Sequence, residues 1–228
     1  MKGGDPTAAR PDSEPEAVGF VLAGGQSSRM GQDKALLPFC GQPLVANALA
    51  ILRQAGLAAF VAGARSPLDA FAPVVEDREP GLGPLSGICS ALASTSARHA
   101  VFLPVDLPLL PASLLAYLLL HAQISGRAVT VSSSCGFAQT FPAVLDRALL
   151  PALRGELGAG RRGCLSGFET AAASAGKGVS TIAVELLAQC GQVSHSSSLP
   201  AARWFFNINT PVDLERCQEQ ISRADRVV

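Results

Sequence analysis

Short apolar runs alternate with longer stretches of mixed polarity from residue 18 onward, and this alternation is typical of βαβ units. Strands are predicted for the short runs, at residues 18–22, 59–62, 73–76, 100–105, 128–132 and 204–208. Helices are predicted where apolar positions recur over several turns, at residues 44–54, 85–94, 113–123, 143–153 and in the segment after Pro211. The order of these elements predicts an α/β fold, a three-layer α/β/α domain with a mainly parallel central sheet.

Some of these elements also carry signals for their ends or their burial. Gly56 stands where a C-cap glycine belongs, Ser113 is a candidate N-cap, and Pro211 suits the first turn of the last helix. Residues 100–105 are apolar throughout, which is typical of a central strand that is buried on both faces.

One folded domain is predicted, because neither an internal repeat nor a linker interrupts the alternation. Residues 1–16 are polar and contain prolines, so they are predicted to be a disordered tail, with the domain at 17–228. Residues 155–177 mix glycines and two arginines with an Ala-rich helical stretch. The Ser-rich residues 189–199 are predicted to be a mobile loop.

The composition predicts a sizeable apolar core and argues against several classes of function. Apolar residues make up 48% of the 228 residues and charged residues 16%, which excludes disorder for most of the chain. Eighteen basic and eighteen acidic residues cancel, which argues against a strongly basic nucleic-acid binder or a membrane-surface protein. The most apolar stretch, residues 103–120, contains an aspartate and three prolines, so it does not supply the roughly 20 apolar residues that a bilayer requires. No hydrophobic region follows Lys2, so we expect no signal peptide and a soluble, cytoplasmic protein.

The cysteines and histidines form no recognisable motif. Six cysteines without a close pair support neither a zinc site nor a disulfide framework, and they are predicted to be reduced and mostly buried: Cys40, Cys89, Cys135, Cys164, Cys190 and Cys217. The histidines are far apart in the sequence and are expected to be structural or exposed: His99, His121 and His195.

The segment with the clearest chemistry is residues 22–34, Leu-Ala-Gly-Gly-Gln-Ser-Ser-Arg-Met-Gly-Gln-Asp-Lys, directly after the first predicted strand. Open α/β sheets bind ligands at this end of their strands, and glycines let several backbone N–H groups point at one anion. The segment lacks both the Gly-Lys-Ser/Thr ending of a Walker A loop and the G-x-G-x-x-G pattern. It is predicted to bind a di- or triphosphate rather than to be a plain exposed connection, and the residues expected to do so are Gly24, Gly25, Ser27, Ser28, Arg29 and Lys34.

Two oxygen-bearing side chains stand in other strand-to-helix loops. Asp106 ends an apolar strand between two prolines and is a natural Mg²⁺ ligand, because magnesium takes oxygen ligands and shares them with substrate phosphates. Asn209 lies in a second such loop and could supply a neutral oxygen to the same metal. Both residue types also cap helices, so capping remains the alternative for each, and Asn207 is the weaker candidate of the Asn207–Asn209 pair.

Residues 22–34 resemble the signature of molybdenum cofactor guanylyltransferases, which belong to the wider nucleotidyltransferase superfamily. Three further matches follow in the family's order, at residues 76–88, 104–108 and 206–211. The resemblance extends over about residues 18–217. It implies a single-domain, Rossmann-like nucleotidyltransferase fold.

The resemblance also implies a reaction: GMP moves from GTP to molybdopterin (Mo-molybdopterin), which yields the guanine dinucleotide cofactor and pyrophosphate. Mg²⁺ is the implied cofactor, and molybdoenzymes or their chaperones are candidate protein partners, whereas nucleic acid and membrane are not expected. The catalytic residues implied are Arg29, Lys34 and Asp106; the metal ligands are Asp106 and Asn209. The nucleotide-binding residues implied are Leu22, Ala23, Gly24, Gly25, Lys34, Asp77 and Asp106.

The base-binding part of the resemblance leaves alternatives open. The Asp77 carboxylate can accept from the two donors on the Watson–Crick edge of guanine, but contact with another part of the nucleotide is equally compatible. Residues 83–87 would bring a helix N-terminus close to the ligand, or they form a plain turn. Residues 62–65, Ala-Gly-Ala-Arg, occupy a place where family members often carry an asparagine that contacts the nucleotide.

On the acceptor side, residues 139–142 and the following 143–145 resemble the strand that lines the family's pterin site. Arg161 and Arg162 could bind the phosphate or dithiolene region of the pterin, since the planar arginine fork makes bidentate hydrogen bonds. Solvated surface arginines are the alternative.

Three other functions are alternatives to guanylyl transfer. Cytidylyltransferases of the same superfamily tend to show Leu-Ala-Ala-Gly and usually lack an aspartate directly before the lysine, so the Gly24-Gly25 and Asp33-Lys34 pairs favour guanine. Many sugar-1-phosphate pyrophosphorylases carry an additional C-terminal domain, and we expect none here. A non-catalytic nucleotide-binding module would have no need to keep Lys34 and Asp106 together.

Overall fold

The computed structural model describes residues 15–24, 33–65 and 67–224. Its strands are β1 (Ala17–Leu22), β2 (Pro38–Phe39), β3 (Gln42–Pro43), β4 (Ala58–Ala62), β5 (Val74–Val75), β6 (His99–Pro104), β7 (Val129–Ser134), β8 (Phe137–Asp146) and β9 (Val179–Ala183). Its α-helices are α1 (Leu44–Gln54), α2 (Pro84–Ala93), α3 (Ala112–Ser125), α4 (Leu150–Gly158), α5 (Cys164–Ser174), α6 (Val184–Gln189) and α7 (Pro211–Ala224). Short 3₁₀ turns lie at Lys34–Leu36, Leu68–Ala70, Arg147–Leu149 and Ala201–Arg203.

In the described part of the chain, seven strands form one sheet in the order β5-β4-β1-β6-β8-β7-β9, and β2 and β3 form a separate small hairpin. All neighbouring pairs of the large sheet are parallel except the two that involve β8, which runs antiparallel to both β6 and β7. The chain leaves β1 toward β4 and β5 and then returns to the other side of β1 as β6. This reversal of strand order creates a crevice at the carboxyl ends of β1 and β6, which is where open α/β sheets bind ligands.

The core consists of two apolar layers, one on each face of the sheet. Val21 of β1 belongs to the layer under α1, α3, α6 and α7, whereas its neighbour Phe20 belongs to the layer under α2, α4 and α5. In β6, Val101 and Phe102 divide in the same way, and both are fully buried. The three-layer α/β/α architecture, the mainly parallel sheet and the double burial of the predicted strand 100–105 are therefore confirmed.

The prediction of a helix at residues 143–153 is wrong. Residues 137–146 form β8, and the helix begins only at Leu150. Because β8 lies between β6 and β7 with both faces covered, Ala143, Val144 and Leu145 are all buried, and periodicity cannot distinguish such a run from a buried helix. The strand that the family resemblance placed at residues 139–145 is confirmed.

Two further predictions fail. Residues 204–208 do not form a strand. Trp204 and Ile208 are buried, and Ile208 N donates a hydrogen bond to Asp106 O (3.0 Å). The segment does not pair with a strand of the sheet. Ser113 does not cap α3, whose N-cap is Pro111; its hydroxyl instead bonds the backbone of Ser194. β9 and α6 were not predicted at all.

Other end signals behave as expected. Gly56 adopts a φ of 83° and its N–H bonds to Arg53 O (2.9 Å) directly after α1. Pro211 is the first residue of α7. Of the tail, residues 1–14 lie outside the described ranges, and Glu16 O accepts a hydrogen bond from His99 N (3.1 Å), so the tail and domain bounds stay a prediction.

Burial of the cysteines differs from expectation. Cys89 and Cys217 are buried and Cys164 is half-buried, but Cys40, Cys135 and Cys190 are exposed, so the prediction of mostly buried thiols is wrong for half of them. None of the helices in the described ranges combines the length and the apolar character that a membrane span requires.

Candidate functional site

The central feature of the crevice is a lysine that lies between two oxygen atoms from distant parts of the chain. Lys34 Nζ lies 2.9 Å from Asp106 Oδ2 and 3.3 Å from Asn209 Oδ1. The Lys34 and Asp106 side chains are only 16% and 22% exposed, so their attraction is screened less than that of a surface pair. The structure thus brings together three of the residues that the sequence singled out.

Local structure positions each of these side chains, and for Asp106 it is the loop at the end of β6. Asp33 caps the Lys34–Leu36 turn by accepting a hydrogen bond from Ala35 N at its Oδ1 (3.0 Å), which sets the direction of the Lys34 backbone. Asp106 follows β6, and Asn47 of α1 donates to the nearby Pro108 O (3.1 Å). Helix α1 therefore holds the loop that carries the carboxylate.

Asn209 is free to contact Lys34 because its neighbours cap α7. Asp213 Oδ2 accepts from Asn209 N (3.1 Å), Thr210 N (2.8 Å) and Thr210 Oγ1 (2.9 Å), and Thr210 Oγ1 accepts from Asp213 N (3.2 Å). This reciprocal arrangement is a capping box. The hydrogen bonds from the Thr210 hydroxyl and the Asn209 N–H hold the pKa of the Asp213 carboxyl below its ordinary value. Helix capping, the alternative role for Asn209, is thus carried out by Thr210 and Asp213.

A pocket of about 550 Å³ surrounds Lys34 and Asp106. One wall comes from the ends of β1 and β6, and the opposite wall from the start of β8 and the segment before α7. The residues that line it are Leu22, Ala23, Gly24, Asp33, Lys34, Ala35, Pro84, Pro104, Val105, Asp106, Leu107, Gln139, Thr140, Phe141, Phe205 and Asn207. We call this the phosphate pocket.

A second pocket, of about 670 Å³, shares Leu22, Gly24 and Pro84 with the first, so the two form one cleft. Its remaining lining is mostly small residues and glycines, with two adjacent carboxylates: Ala62, Gly63, Ala64, Glu76, Asp77, Pro80, Gly81, Gly83 and Gly87. We call this the acidic pocket. Gly63 has to be small, because a Cβ there would lie 3.2 Å from the backbone carbon of Ala23.

The two carboxylates of the acidic pocket have different partners. Asp77 Oδ1 accepts from Ser86 Oγ (2.5 Å), Glu79 N (3.0 Å) and Ser90 Oγ (3.4 Å). Glu76 Oε2 instead accepts from the Arg65 guanidinium, at 3.4 Å from Nε and 3.3 Å from Nη2. Asp77 therefore ties its own turn to α2, while Glu76 pairs with the residue that follows the small segment 62–64.

Some of the predicted site residues line this cleft and others do not. Leu22, Ala23 and Gly24 line the phosphate pocket with Asn207 and the start of β8, whereas Gly25, Ser27, Ser28 and Arg29 lie outside the described residues. Arg161 is held by Glu156 through two bonds of 2.6 Å, and neither Arg161 nor Arg162 lines either pocket.

The sequence alone did not identify Phe205, Glu76 or the two serines that hold Asp77. Phe205 lies in the segment predicted to be a strand, and Glu76 is the first residue of the motif at residues 76–88. Ser86 and Ser90 recur four residues apart on α2, a spacing that places both on one helix face. That spacing was the signal that could have connected them with Asp77.

The donor set at Lys34 fits a magnesium ion. Within residues 15–24, 33–65 and 67–224, no group of three or more His, Cys, Asp or Glu side chains could hold a metal. Mg²⁺ does not need such a cage, because it is typically bound by one or two carboxylates, waters and substrate phosphates. Asp106 Oδ2 and Asn209 Oδ1 already converge on one cation, the Lys34 ammonium, and they are oxygen ligands of the required kind.

A family model and curated relatives both match this chain. The MobA-like NTP transferase domain family matches residues 19–175. A molybdenum cofactor guanylyltransferase of Rhizobium meliloti (strain 1021) is 34% identical over 213 residues, which is 90% of each chain. One of Xanthomonas euvesicatoria pv. vesicatoria (strain 85-10) is 50% identical over 107 residues, 46% of this chain and 55% of that protein. One of Rhodobacter capsulatus is 41% identical over 120 residues, 48% of this chain and 63% of that protein. This chain thus spans less than two thirds of the latter two relatives.

Solved structures agree on the fold. Molybdopterin-guanine dinucleotide biosynthesis protein A from Archaeoglobus fulgidus has a TM-score of 0.70 at 23% identity, with 90% of this chain and 98% of that chain covered. A CMP:2-keto-3-deoxy-manno-octonic acid synthetase complexed with CTP has a TM-score of 0.67 at 15% identity, with 91% and 99% covered. At these identities the likeness concerns the fold, and it confirms a Rossmann-like architecture.

Proposed function

This chain belongs to the MobA-like NTP transferase family, and from that premise we propose that it transfers GMP from GTP to molybdopterin, forming the guanine dinucleotide cofactor and releasing pyrophosphate. The observation that carries the proposal is the convergence of Lys34, Asp106 and Asn209 at the carboxyl ends of β1 and β6. Ammonium, carboxylate and amide groups in this arrangement are suited to binding phosphates together with a divalent cation.

Charge sets the direction in which the nucleotide lies in the cleft. Glu76 and Asp77 line the acidic pocket, and carboxylates repel a triphosphate, whereas Lys34 lines the phosphate pocket. The nucleoside therefore occupies the acidic pocket and the phosphates reach past Gly24 toward Lys34. The small lining of the acidic pocket leaves room for a planar base.

The reaction is an in-line displacement at the α-phosphorus. A phosphate oxygen of molybdopterin forms a bond to the α-phosphorus of GTP, and the bond to the bridging oxygen breaks, so that pyrophosphate leaves with the electron pair. The nucleophile is already ionised at neutral pH, and no general base is required. Catalysis then consists of positioning and charge neutralisation, in which Lys34 and the glycine-rich segment that contains Arg29 stabilise charge on the transferring and leaving phosphates.

Asp106 and Asn209 are the residues that would hold Mg²⁺. When bound there, the ion would supply positive charge to oxygens of the nucleotide phosphates. Asp106 orients its carboxylate toward the cleft because it follows β6 and is anchored by the Ile208 N–H at its own carbonyl. Asn209 reaches the same point from the start of α7.

The acceptor is proposed to enter from the β8 side of the phosphate pocket. Gln139 and Thr140 offer polar groups there, and the half-buried rings of Phe141 and Phe205 offer apolar surface for a planar pterin. Phe141 is held edge-on by Phe168, with ring centroids 6.2 Å apart. The reaction needs no membrane, and we place the protein in the cytoplasm, where molybdoenzymes or their chaperones would receive the product.

The first experiment measures thermal unfolding with Mg²⁺ and each of GTP, CTP, ATP and UTP. At a hundredfold excess over its Kd a ligand stabilises by about 2.7 kcal/mol, which for a domain of this size raises Tm by roughly 2–4 °C per kcal/mol. A rise with GTP alone supports the proposal, and a rise with CTP alone replaces it with cytidylyl transfer. Transfer of α-labelled GMP to molybdopterin then tests the chemistry, since a nucleotide-binding module without activity would bind GTP and release no pyrophosphate.

A further inference from the structure

The two adjacent carboxylates of the acidic pocket are not equivalent. Asp77 Oδ1 holds a turn through Ser86 Oγ, Ser90 Oγ and a backbone N–H. Exchanging these bonds for a ligand would take from the buried Ser86 hydroxyl its 2.5 Å bond to the carboxylate and leave it only the longer bond to Glu79 O (3.1 Å), and losing a buried hydrogen bond to a charged group is costly. Asp77 is therefore better suited to shaping the pocket than to reading a base.

Glu76 has the opposite character. Its carboxylate pairs with Arg65 at 3.3–3.4 Å, and the two side chains are 56% and 59% exposed. An exposed ion pair of this kind contributes little to stability, so a ligand can replace its contacts at small cost. Glu76 lines the acidic pocket, and Arg65 stands beside it with donors that Glu76 alone cannot supply.

This pair matches the Watson–Crick edge of one base. Guanine carries two adjacent donors, N1–H and the 2-amino group, next to the acceptor O6. Adenine, cytosine and uracil each lack two adjacent donors on that edge. A carboxylate only accepts, so two adjacent donors use both of its oxygens, while a guanidinium suits O6 because arginine commonly pairs with that atom.

We infer that Glu76 accepts hydrogen bonds from N1–H and the 2-amino group of guanine while Arg65 donates to O6, so that this ion pair determines base specificity. The inference rests on the proposed function, because it requires the nucleoside end of GTP to lie in the acidic pocket. It also gives a role to Arg65, which stands in the segment where the family often has an asparagine. Asp77 keeps the turn in place and does not contact the Watson–Crick edge.

The test compares GTP with ITP, which differs from GTP only in lacking the 2-amino group. Calorimetric Kd values are measured with Mg²⁺ for the wild-type chain, Glu76→Gln, Arg65→Met and the control Glu169→Gln. The control removes the same charge from an exposed side chain on α5 that lines neither pocket. Because Glu76 is more than half exposed, its variant should fold, and unchanged Tm values without ligand verify this.

The wild-type chain and Glu169→Gln should bind GTP at least tenfold more tightly than ITP. In Glu76→Gln this ratio should fall to within about twofold, whereas Arg65→Met should weaken both nucleotides by the same factor, since both carry O6. A wild-type chain that binds GTP and ITP equally, or a ratio that survives in Glu76→Gln, overturns the inference and leaves the proposed function standing. Failure of the wild-type chain to bind any guanine nucleotide overturns the proposed function itself.

Discussion

Lys34 Nζ donates to Asp106 Oδ2 across 2.9 Å, so the phosphate-binding candidate of the first loop neutralises the metal-binding candidate of the loop after β6. Asn209 Oδ1 lies 3.3 Å from the same ammonium. One cation therefore already occupies the position between the two proposed magnesium ligands. Any divalent ion that binds Asp106 and Asn209 must compete with Lys34 for them.

This competition predicts that Lys34→Met binds divalent metal more tightly when nucleotide is absent. Removing the ammonium frees both oxygens and removes a like charge a few ångströms from the ion, so Mn²⁺ affinity should rise about tenfold, as measured by electron paramagnetic resonance of free Mn²⁺. GMP transfer should fall at the same time, because the phosphates lose their cation. Lys177→Met is the control: it breaks a lysine–aspartate pair with Asp146 elsewhere in the fold and should leave Mn²⁺ affinity unaltered. An unchanged or weaker Mn²⁺ affinity in Lys34→Met would contradict the competition.

Asp106→Asn should lower Mg²⁺-dependent GMP transfer by about 10³-fold, because it removes the anionic ligand from the proposed metal site. The fold should survive, since the side chain lies at the cleft rather than in either apolar layer, and circular dichroism verifies this. Asp69→Asn, on an exposed 3₁₀ turn, makes the same chemical change away from the cleft and should retain full activity. Near wild-type transfer by Asp106→Asn would show that the metal assignment is wrong.

Ser86→Ala should destabilise the protein by about 1–3 kcal/mol, because it removes a buried hydroxyl that donates to a carboxylate. At roughly 2–4 °C per kcal/mol for a domain of this size, calorimetry should show Tm lower by several degrees. GTP affinity should fall as well, since the Asp77 turn lines the acidic pocket. Ser174→Ala, whose exposed hydroxyl bonds only the preceding turn of α5, should change neither quantity. Equal Tm values for the two variants would remove the structural role assigned to Asp77.

The Asp146–Lys177 pair predicts how stability depends on pH. Burial alone would raise the pKa of the Asp146 carboxyl, but hydrogen bonds from the Lys177 ammonium and the Ala148 N–H outweigh it, and the pKa lies below its ordinary value. A carboxyl whose pKa is lower in the folded state stabilises the protein above its unfolded-state pKa, near 3.9. This stabilisation disappears as pH falls below about 4.

Lys177→Met should therefore lower the free energy of unfolding at pH 7 by about 1–2 kcal/mol, less than for a fully buried pair because Lys177 is 38% exposed. The difference from wild type should shrink as pH falls below about 4, which thermal unfolding at several pH values measures. Arg223→Met, which breaks an exposed pair with Glu219 on α7, is the control and should cost little at any pH. A difference between Lys177→Met and wild type that stays constant down to pH 2 would show that Lys177 does not lower the pKa of Asp146.

The sequence predicts the nucleotide half of the site better than the acceptor half, for a physical reason. Lys34 and Asp106 each follow a parallel strand that was read correctly, and parallel strands end at the same edge, so their convergence followed from the pattern. The last four residues of β8, 143–146, were predicted to begin a helix because this end of the strand is buried on both faces, and the antiparallel direction of β8 has no local signal. Residues 204–208 resembled a strand because Trp204 and Ile208 are buried, although they pack beneath the cleft without joining a ladder.

The separate roles of Asp77 and Glu76 could not be predicted from the sequence either. The motif identified Asp77, but its three donors come from Glu79 and from α2, and only the folded turn brings them to one oxygen. Glu76 became a candidate for base recognition only when the structure showed its ion pair with Arg65. Hydrogen bonds between side chains depend on distances of a few tenths of an ångström, which no spacing rule supplies.

The position of β8 also has a consequence for how the chain is made. β6 lies in the middle of the finished sheet, yet its partner on one side is β8, which is synthesised more than thirty residues later. Until β8 pairs, β6 is an edge strand with open backbone hydrogen-bonding groups and an almost wholly apolar sequence, a known template for aggregation. The β5-β4-β1-β6 half of the sheet is therefore protected from aggregation only after the β7–β8 hairpin has left the ribosome. Chaperone binding to nascent chains should be strongest between the synthesis of β6 and that of β8.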